Sequence, residues 1–157
     1  MLRSLFDWLD ANPGFYWLPA ILATVAMIGD LLHTILRDAA TPLSRTRRVI
    51  TALVLPSFLL AWRWPFLFAA HEYNPDESQL IAGALTLAHD PVFWRSVDGT
   101  TSGPLNFYAL LPLHLIGAPM DYFMARLTGL LLIWVALLGC ERLVRSVYSP
   151  AVARLSL

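Results

Sequence analysis

The sequence predicts an all-α integral membrane protein with about three transmembrane helices and two interfacial helices in an extracytoplasmic loop. Of its 157 residues, 57% are hydrophobic and 14% are charged, against about 45–50% and about 25% in typical soluble domains. Three apolar runs are each long enough to cross about 30 Å of hydrocarbon. Between the second and third runs lies a polar stretch that contains five of the eleven acidic residues, and a stretch of this kind has to lie in water.

Charge and cysteine content exclude several other classes of protein. Eleven basic and eleven acidic residues give a net charge of zero, so the sequence lacks the basic surface that a nucleic-acid-binding protein needs. A single cysteine, Cys140, rules out a disulfide framework. The four histidines do not have the spacing of a metal-binding motif.

The first two predicted elements are an interfacial amino-terminal segment over residues 1–15 and a transmembrane helix over residues 16–36. Apolar residues recur at near-helical spacing in the first, and Asn-Pro-Gly at 12–14 ends it. Asp30 and His33 are three residues apart and therefore share one face of the transmembrane helix. They are either a polar pair inside a helix bundle or two side chains near the helix end that reach the headgroups.

The charge bias of the loops sets the expected orientation. Residues 37–48 contain four arginines and are predicted to be cytoplasmic. Residues 49–70 form the second transmembrane helix, so residues 71–119 are extracytoplasmic. Residues 120–140 form the third, and the arginines of the tail, residues 141–157, place its end in the cytoplasm. The expected location is the plasma (inner) membrane, with the amino terminus outside.

An amphipathic helix is predicted to begin in the extracytoplasmic loop at Asn74. Asparagine is a favoured N-cap, Pro75 suits the first helical position, and Glu77 completes a capping box. An apolar stripe follows, and Asp90-Pro91 ends the helix. We expect such a helix to lie flat in the membrane interface.

Two roles are open to Asp76 and Glu77. Acidic residues in a first helical turn stabilise the helix dipole by about 0.3–1 kcal/mol each. A carboxylate at the membrane surface can also act as a general base or bind a metal ion. Both roles can hold together if Glu77 caps the helix while Asp76 points into a cavity.

The rest of the loop offers further polar groups. Arg95 can bind a phosphate through its planar guanidinium, or it can pair with Asp90 or Asp98. Pro104 begins a second apolar helix of about fourteen residues, which is too short to span and is predicted to be interfacial or re-entrant. Its polar side chains are Asn106, Tyr108 and His114. In the third transmembrane helix, Arg126 can either snorkel to the interface or point at the acidic groups of the loop.

The order of these pieces resembles a known family. They are Asp76-Glu77, the helix to His89, Ser102-Gly103-Pro104-Leu105-Asn106-Phe107-Tyr108 and Ala125-Arg126-Leu127. This order is similar to the amino-terminal part of the GT-C membrane glycosyltransferases, such as the dolichyl-phosphate-mannose protein mannosyltransferases and the bacterial lipid A aminoarabinose transferases. The similarity covers about residues 72–148. The chain has Gly103-Pro104-Leu105 where relatives often have Pro-Pro-Leu.

The resemblance implies transfer of a sugar from a polyprenyl-phosphate donor to an extracytoplasmic acceptor. It implies Asp76 as the base, or as an acid near a bound divalent metal ion, with Glu77 beside it. The substrate-binding residues that go with this hypothesis are Arg95, Asp98, Asn106, Tyr108 and Arg126. Members of the family have more membrane helices, so we expect the chain to be incomplete alone. It is either a truncated piece, or it works with a second chain that supplies the other helices, or it has lost catalysis.

Two other functions remain open at this point. The chain could be a non-catalytic small membrane protein that binds lipid or a partner helix bundle, in which case Asp76 and Glu77 only cap a helix. A transporter fragment would require polar residues in mid-membrane, where Asp30 comes nearest.

Overall fold

A computed structural model of the chain describes residues 7–9, 11–36, 44–97, 102–148 and 152–153. Within these residues the chain is helical and has no β-strand. The helices are α1 (Gly14–Leu36), α2 (Arg45–Phe68), α3 (Pro75–His89), α4 (Phe93–Ser96), α5 (Pro104–Tyr108), α6 (Leu111–Leu115) and α7 (Tyr122–Val147). The predicted all-α class is thereby confirmed. Residues 1–6 and 10 of the interfacial segment predicted at 1–15, most of the loop predicted at 37–48, and Asp98 lie outside the described residues.

Three segments are long and apolar enough to cross a membrane. They are Gly14–Leu36, Val49–Phe68 and Tyr122–Val147, which is consistent with a multi-pass membrane protein. The third of these segments, α7, continues past the expected boundary at residue 140. Within it, Arg145 contacts Glu141 one turn away. Oppositely charged side chains at this spacing support a helix, so the helical stretch extends into the segment predicted as the tail.

The chain forms two compact units. The span unit comprises residues 3–65 and 130–157, and the loop unit comprises residues 66–129. In the span unit, the Thr51 hydroxyl donates a hydrogen bond to Asp30 Oδ2 (3.0 Å) and joins α2 to α1. Asp30 is buried and His33 is exposed. Asp30 and His33, for which a polar pair was one of the two interpretations, therefore have different surroundings.

In the loop unit, α3 packs against α4, α5 and α6 around Leu87, Phe93 and Phe107. Gly83 permits this packing, because a Cβ atom there would lie 2.5 Å from two ring carbons of Phe107. Part of the apolar stripe of α3 is covered, with Ile81, Ala84 and Leu87 buried and Leu85 still 39% exposed. Protein side chains thus occupy part of the face that was expected to lie on the membrane interface.

The apolar helix predicted to begin at Pro104 is divided into α5 and α6. The two short helices are separated at residues 109–110. Pro112 explains the break, because proline has no N–H to donate to the carbonyl of Tyr108 and its ring clashes with a carbonyl four residues earlier. The prediction of one continuous helix was wrong for this reason.

Candidate functional site

The amino-terminal end of α3 forms as the local sequence predicts. Asn74 has extended backbone angles (φ −140°, ψ 135°), and its Oδ1 accepts a hydrogen bond from the Asp76 N–H at 3.1 Å. Pro75 occupies the first turn, where a missing N–H costs nothing. The Asn74 side-chain amide also donates to Asp76 Oδ2 at 3.3 Å. The predicted N-cap and helix start are confirmed.

Glu77 makes different contacts from those of the predicted capping box. Its Oε2 accepts from the Tyr73 N–H (3.0 Å), one residue before the cap, instead of from the Asn74 N–H. Both carboxylate oxygens also accept from Arg126, with Nε to Oε1 at 3.0 Å and Nη2 to Oε2 at 2.6 Å. Of the two orientations open to Arg126, the structure shows the one that points at the acidic loop.

Arg126 uses all five of its N–H donors within the loop unit. Besides the two bonds to Glu77, Nη1 donates to the carbonyls of Phe66 and Ala69, both at 2.7 Å, and Nη2 donates to the carbonyl of His71 at 2.8 Å. A guanidinium has five N–H groups, so its donor capacity is filled by protein acceptors. Since a cation is favoured at a helix carboxyl end, Arg126 also stabilises the end of α2.

Two tyrosine rings enclose the same guanidinium. The Arg126 Cζ lies 5.0 Å from the ring centre of Tyr73 and 5.3 Å from that of Tyr122. Cation–π attraction at these distances adds to the ion pair. Tyr122 precedes Arg126 by four residues and thus shares its helix face, so this contact could have been predicted from the sequence. The three carbonyl acceptors of Arg126 could not, because a backbone carbonyl leaves no signal in the residue type.

The guanidinium of Arg126 holds the pKa of Glu77 below its ordinary value. The hydrogen bonds from Arg126 are the largest cause, partial burial of the carboxyl acts in the opposite direction, and the Tyr73 N–H adds to the lowering. A lowered pKa in the folded state stabilises the fold above the ordinary glutamate pKa of about 4.3. This contribution is lost as the pH falls through the lowered pKa.

Asp76 differs from its neighbour. It is exposed at the first turn of α3, and the contacts of its side chain are with the Asn74 amide. Glu77 is partly buried in its pair with Arg126. Two adjacent carboxylates thus have separate surroundings, one accessible to a ligand and the other bound to protein.

An apolar cleft of about 320 Å³ lies beside Arg126. It is lined by Leu67, Phe68, Ala69, Ala70, Asp121, Tyr122 and Phe123. Asp121 caps α7, since its Oδ1 accepts from the Met124 N–H at 2.9 Å. The cleft therefore lies where the end of α2 and the start of α7 meet in the loop unit.

Arg95 and Tyr108 make their contacts near the carboxyl end of α3. Arg95 binds Asp90 through both carboxylate oxygens, with Nε to Oδ2 at 2.9 Å, and lowers the pKa of Asp90. Asp90 is thus the partner of Arg95 in the structure, while Asp98 lies outside the described residues. The Tyr108 hydroxyl donates to the carbonyl of Pro91 and accepts from the Phe93 N–H. Asn106 is exposed.

The predicted residues therefore divide between two ends of one helix. Asp76, Glu77 and Arg126 lie at the amino end of α3, while Arg95 pairs with the residue that ends it. Fifteen helical residues at about 1.5 Å each separate the two ends by about 22 Å. Among the described residues, no three His, Cys, Asp or Glu side chains come together as metal ligands would.

Comparison with protein-family models, curated proteins and solved structures finds no match. The arguments on function that follow therefore depend on the geometry of the chain and on its sequence motifs.

Proposed function

We propose that the chain is a GT-C-like membrane glycosyltransferase module that transfers a sugar from a polyprenyl-phosphate donor to an extracytoplasmic acceptor. The observation that carries this proposal is the difference between the two adjacent acids. Asp76 is exposed, whereas Glu77 is bound by Arg126. A general base has to reach its substrate, and the exposure of Asp76 supports this role.

In this proposal Asp76 acts as the base. The carboxylate takes the proton of the acceptor hydroxyl while the hydroxyl oxygen forms a bond to the anomeric carbon of the donor sugar. The bond between that carbon and the phosphate oxygen breaks, and its electron pair leaves on the polyprenyl phosphate. A lipid donor is already confined to the bilayer, so holding it near Asp76 supplies proximity.

Glu77 and Arg126 act as positioning residues in this scheme. Arg126 ties the end of α2 and the residues before α3 to Glu77 at the start of α3. With all five donors in use, Arg126 would have to give up protein contacts to bind a phosphate. Arg95, whose side chain is 66% exposed, is the more accessible arginine, but it pairs with Asp90 at the far end of α3. The apolar cleft lined by Leu67 and Phe123 offers space for a hydrocarbon segment of the donor.

The test compares sugar transfer by wild type, Asp76→Asn and Glu72→Gln in membranes, with the genomic neighbours co-expressed and extracted polyprenyl-phosphate sugars as donors. Glu72 is a matched control, because it is an exposed acid of the same loop. General-base catalysis is worth about 10²–10⁴-fold, so we expect Asp76→Asn to lose about 100-fold or more, with unchanged helix content and melting. Absence of transfer by wild type, or equal rates for the two variants, would overturn the proposal.

A second function is favoured by a different observation. The capping by Asn74 and the pairing of Glu77 with Arg126 give these polar groups structural roles without any catalysis. At most 11% of the residues in each candidate span are buried within the described structure. Both facts suit a non-catalytic membrane protein whose spans bind lipid or a partner helix bundle, and this is the conclusion if wild type transfers no sugar.

A further inference from the structure

The outward surface of the short helices α4, α5 and α6 is unusually apolar. Trp94, Leu105, Leu115 and Ile116 are each between 77% and 83% exposed. Moving apolar side chains of this size out of water lowers the free energy more than moving small ones does. Four of them, all exposed to this extent in one loop unit, indicate a surface that contacts something apolar.

These four residues are not part of the loop-unit core. The inward positions of the same elements are taken by Phe93 and Phe107, which pack against Leu87 of α3. Leu105 lies two residues from Phe107, and Trp94 is next to Phe93, so each exposed residue points away from its buried neighbour. We name Trp94, Leu105, Leu115 and Ile116 the outer patch.

The charge around the outer patch suits a membrane. Residues 102–120 contain no Asp, Glu, Lys or Arg. The nearby Arg95 is bound to Asp90, which neutralises its charge. Burying a charged group in lipid is costly, and this segment has none to bury.

One member of the outer patch, Ile116, is also held close to the start of a candidate membrane span. Residues 117–121 join Ile116 to Tyr122, the first residue of α7. A fully extended link of this length covers at most about 20 Å. It is shorter than that here, because Gly117 turns the chain with φ 71° and the Ala118 N–H bonds back to the Leu113 carbonyl at 2.9 Å.

We propose that the outer patch inserts into the surface of the lipid bilayer that α7 crosses, and that α4, α5 and α6, rather than α3, are the elements in contact with lipid. The apolar stripe of α3 is largely used in packing against its neighbours, as the burial of Ile81, Ala84 and Leu87 shows. The other face of α3 exposes Gln79, Ala82 and Thr86 and only one large apolar side chain, Leu85 at 39%, and it remains in water. This inference does not depend on sugar transfer, so it stands or fails separately from the proposed function.

The test places single nitroxide labels on the full chain in nanodiscs of phosphatidylcholine and phosphatidylglycerol. Cys140→Ser removes the native thiol, and cysteine is then introduced as Leu105→Cys, Ile116→Cys or, as the control, Ala82→Cys. Spin relaxation by oxygen reports lipid, and relaxation by a water-soluble nickel chelate reports water. We expect oxygen to dominate at 105 and 116, and the nickel chelate to dominate at 82.

Two outcomes would overturn the inference. Strong relaxation by the nickel chelate at 105 and 116 would place the outer patch in water. Weak relaxation by both reagents would mean that protein covers it, either a second copy of the chain or another partner. Quenching by brominated lipids gives an independent measurement. The fluorescence that these lipids quench should be smaller in Trp94→Phe than in wild type, because Trp94 should be one of the tryptophans that they reach.

Discussion

Among individual residues, Arg126 makes the largest set of polar contacts described in the loop unit. Its partners come from three places in the sequence: the end of α2, the residues before α3, and Glu77 within α3. The distance of 49 positions between Glu77 and Arg126 explains why the sequence left its orientation open. Local patterns report neighbours along a helix, and they do not report which distant acid an arginine reaches.

Replacement of Arg126 by lysine tests the importance of this geometry. Lysine keeps the charge but lacks the planar fork that binds both oxygens of Glu77 and three carbonyls at once. Removing a partner from a buried ion pair costs about 3–5 kcal/mol. We expect a smaller loss in the free energy of unfolding, about 1–3 kcal/mol, because the Glu77 side chain is 29% exposed.

The measurement is unfolding of Arg126→Lys in detergent micelles, followed by circular dichroism. Arg95→Lys is the matched control, since it alters another bidentate pair that is largely exposed. Surface pairs contribute little, so Arg95→Lys should melt close to wild type. Equal destabilisation by both substitutions would contradict the structural role given to Arg126.

Among the elements, α3 shows both the strength and the limit of sequence reasoning. Its start at Pro75 and its end at His89 follow from Asn74 and from Asp90-Pro91, where local chemistry decides the backbone conformation. Its environment could not be predicted in the same way. An apolar stripe packs equally well on lipid and on protein, and the choice of protein depends on α4, α5 and α6 folding back onto it.

The close approach of α3 and α5 at Gly83 gives a second prediction. In Gly83→Ala, the new Cβ would lie 2.5 Å from two ring atoms of Phe107 and 3.1 Å from a methyl carbon of Val97. Overpacking of this kind costs about 1–3 kcal/mol, which exceeds the gain of about 0.5–1 kcal/mol from replacing glycine in a helix. We therefore expect a lower melting temperature.

Gly139→Ala is the control for this prediction, because no atom lies within 4 Å of its Cβ position. It should be neutral or slightly stabilising. Adding Phe107→Leu to Gly83→Ala should recover part of the lost stability by removing the ring. A Gly83→Ala variant as stable as wild type would mean that α5 does not pack on this face of α3.

At the level of the whole molecule, composition and apolar run length predicted the helical class and three candidate spans. Composition and run length are properties of long segments, so they do not depend on the exact residue at any one position. The positive-inside rule adds an orientation, with residues 37–48 in the cytoplasm and residues 71–119 outside. Helix geometry alone does not give this orientation, so it stays a prediction.

The orientation is tested by labelling intact cells with a membrane-impermeant maleimide, again in the Cys140→Ser background. Glu72→Cys should react at once, because residues 71–119 are expected outside. Thr41→Cys should react only after the membrane is permeabilised. The reverse pattern would invert the topology, and it would also place Asp76 on the cytoplasmic side, where the proposed acceptor is absent.

The partners of Arg126 also constrain how the sequence can change over evolution. Three of its five bonds go to backbone carbonyls, at Phe66, Ala69 and His71, and any amino acid supplies a carbonyl. Substitutions at these three positions therefore leave the acceptors in place. Only Glu77 contributes a side chain to the hydrogen bonds. Positions 77 and 126 should consequently change together in related sequences, while positions 66, 69 and 71 drift independently of them.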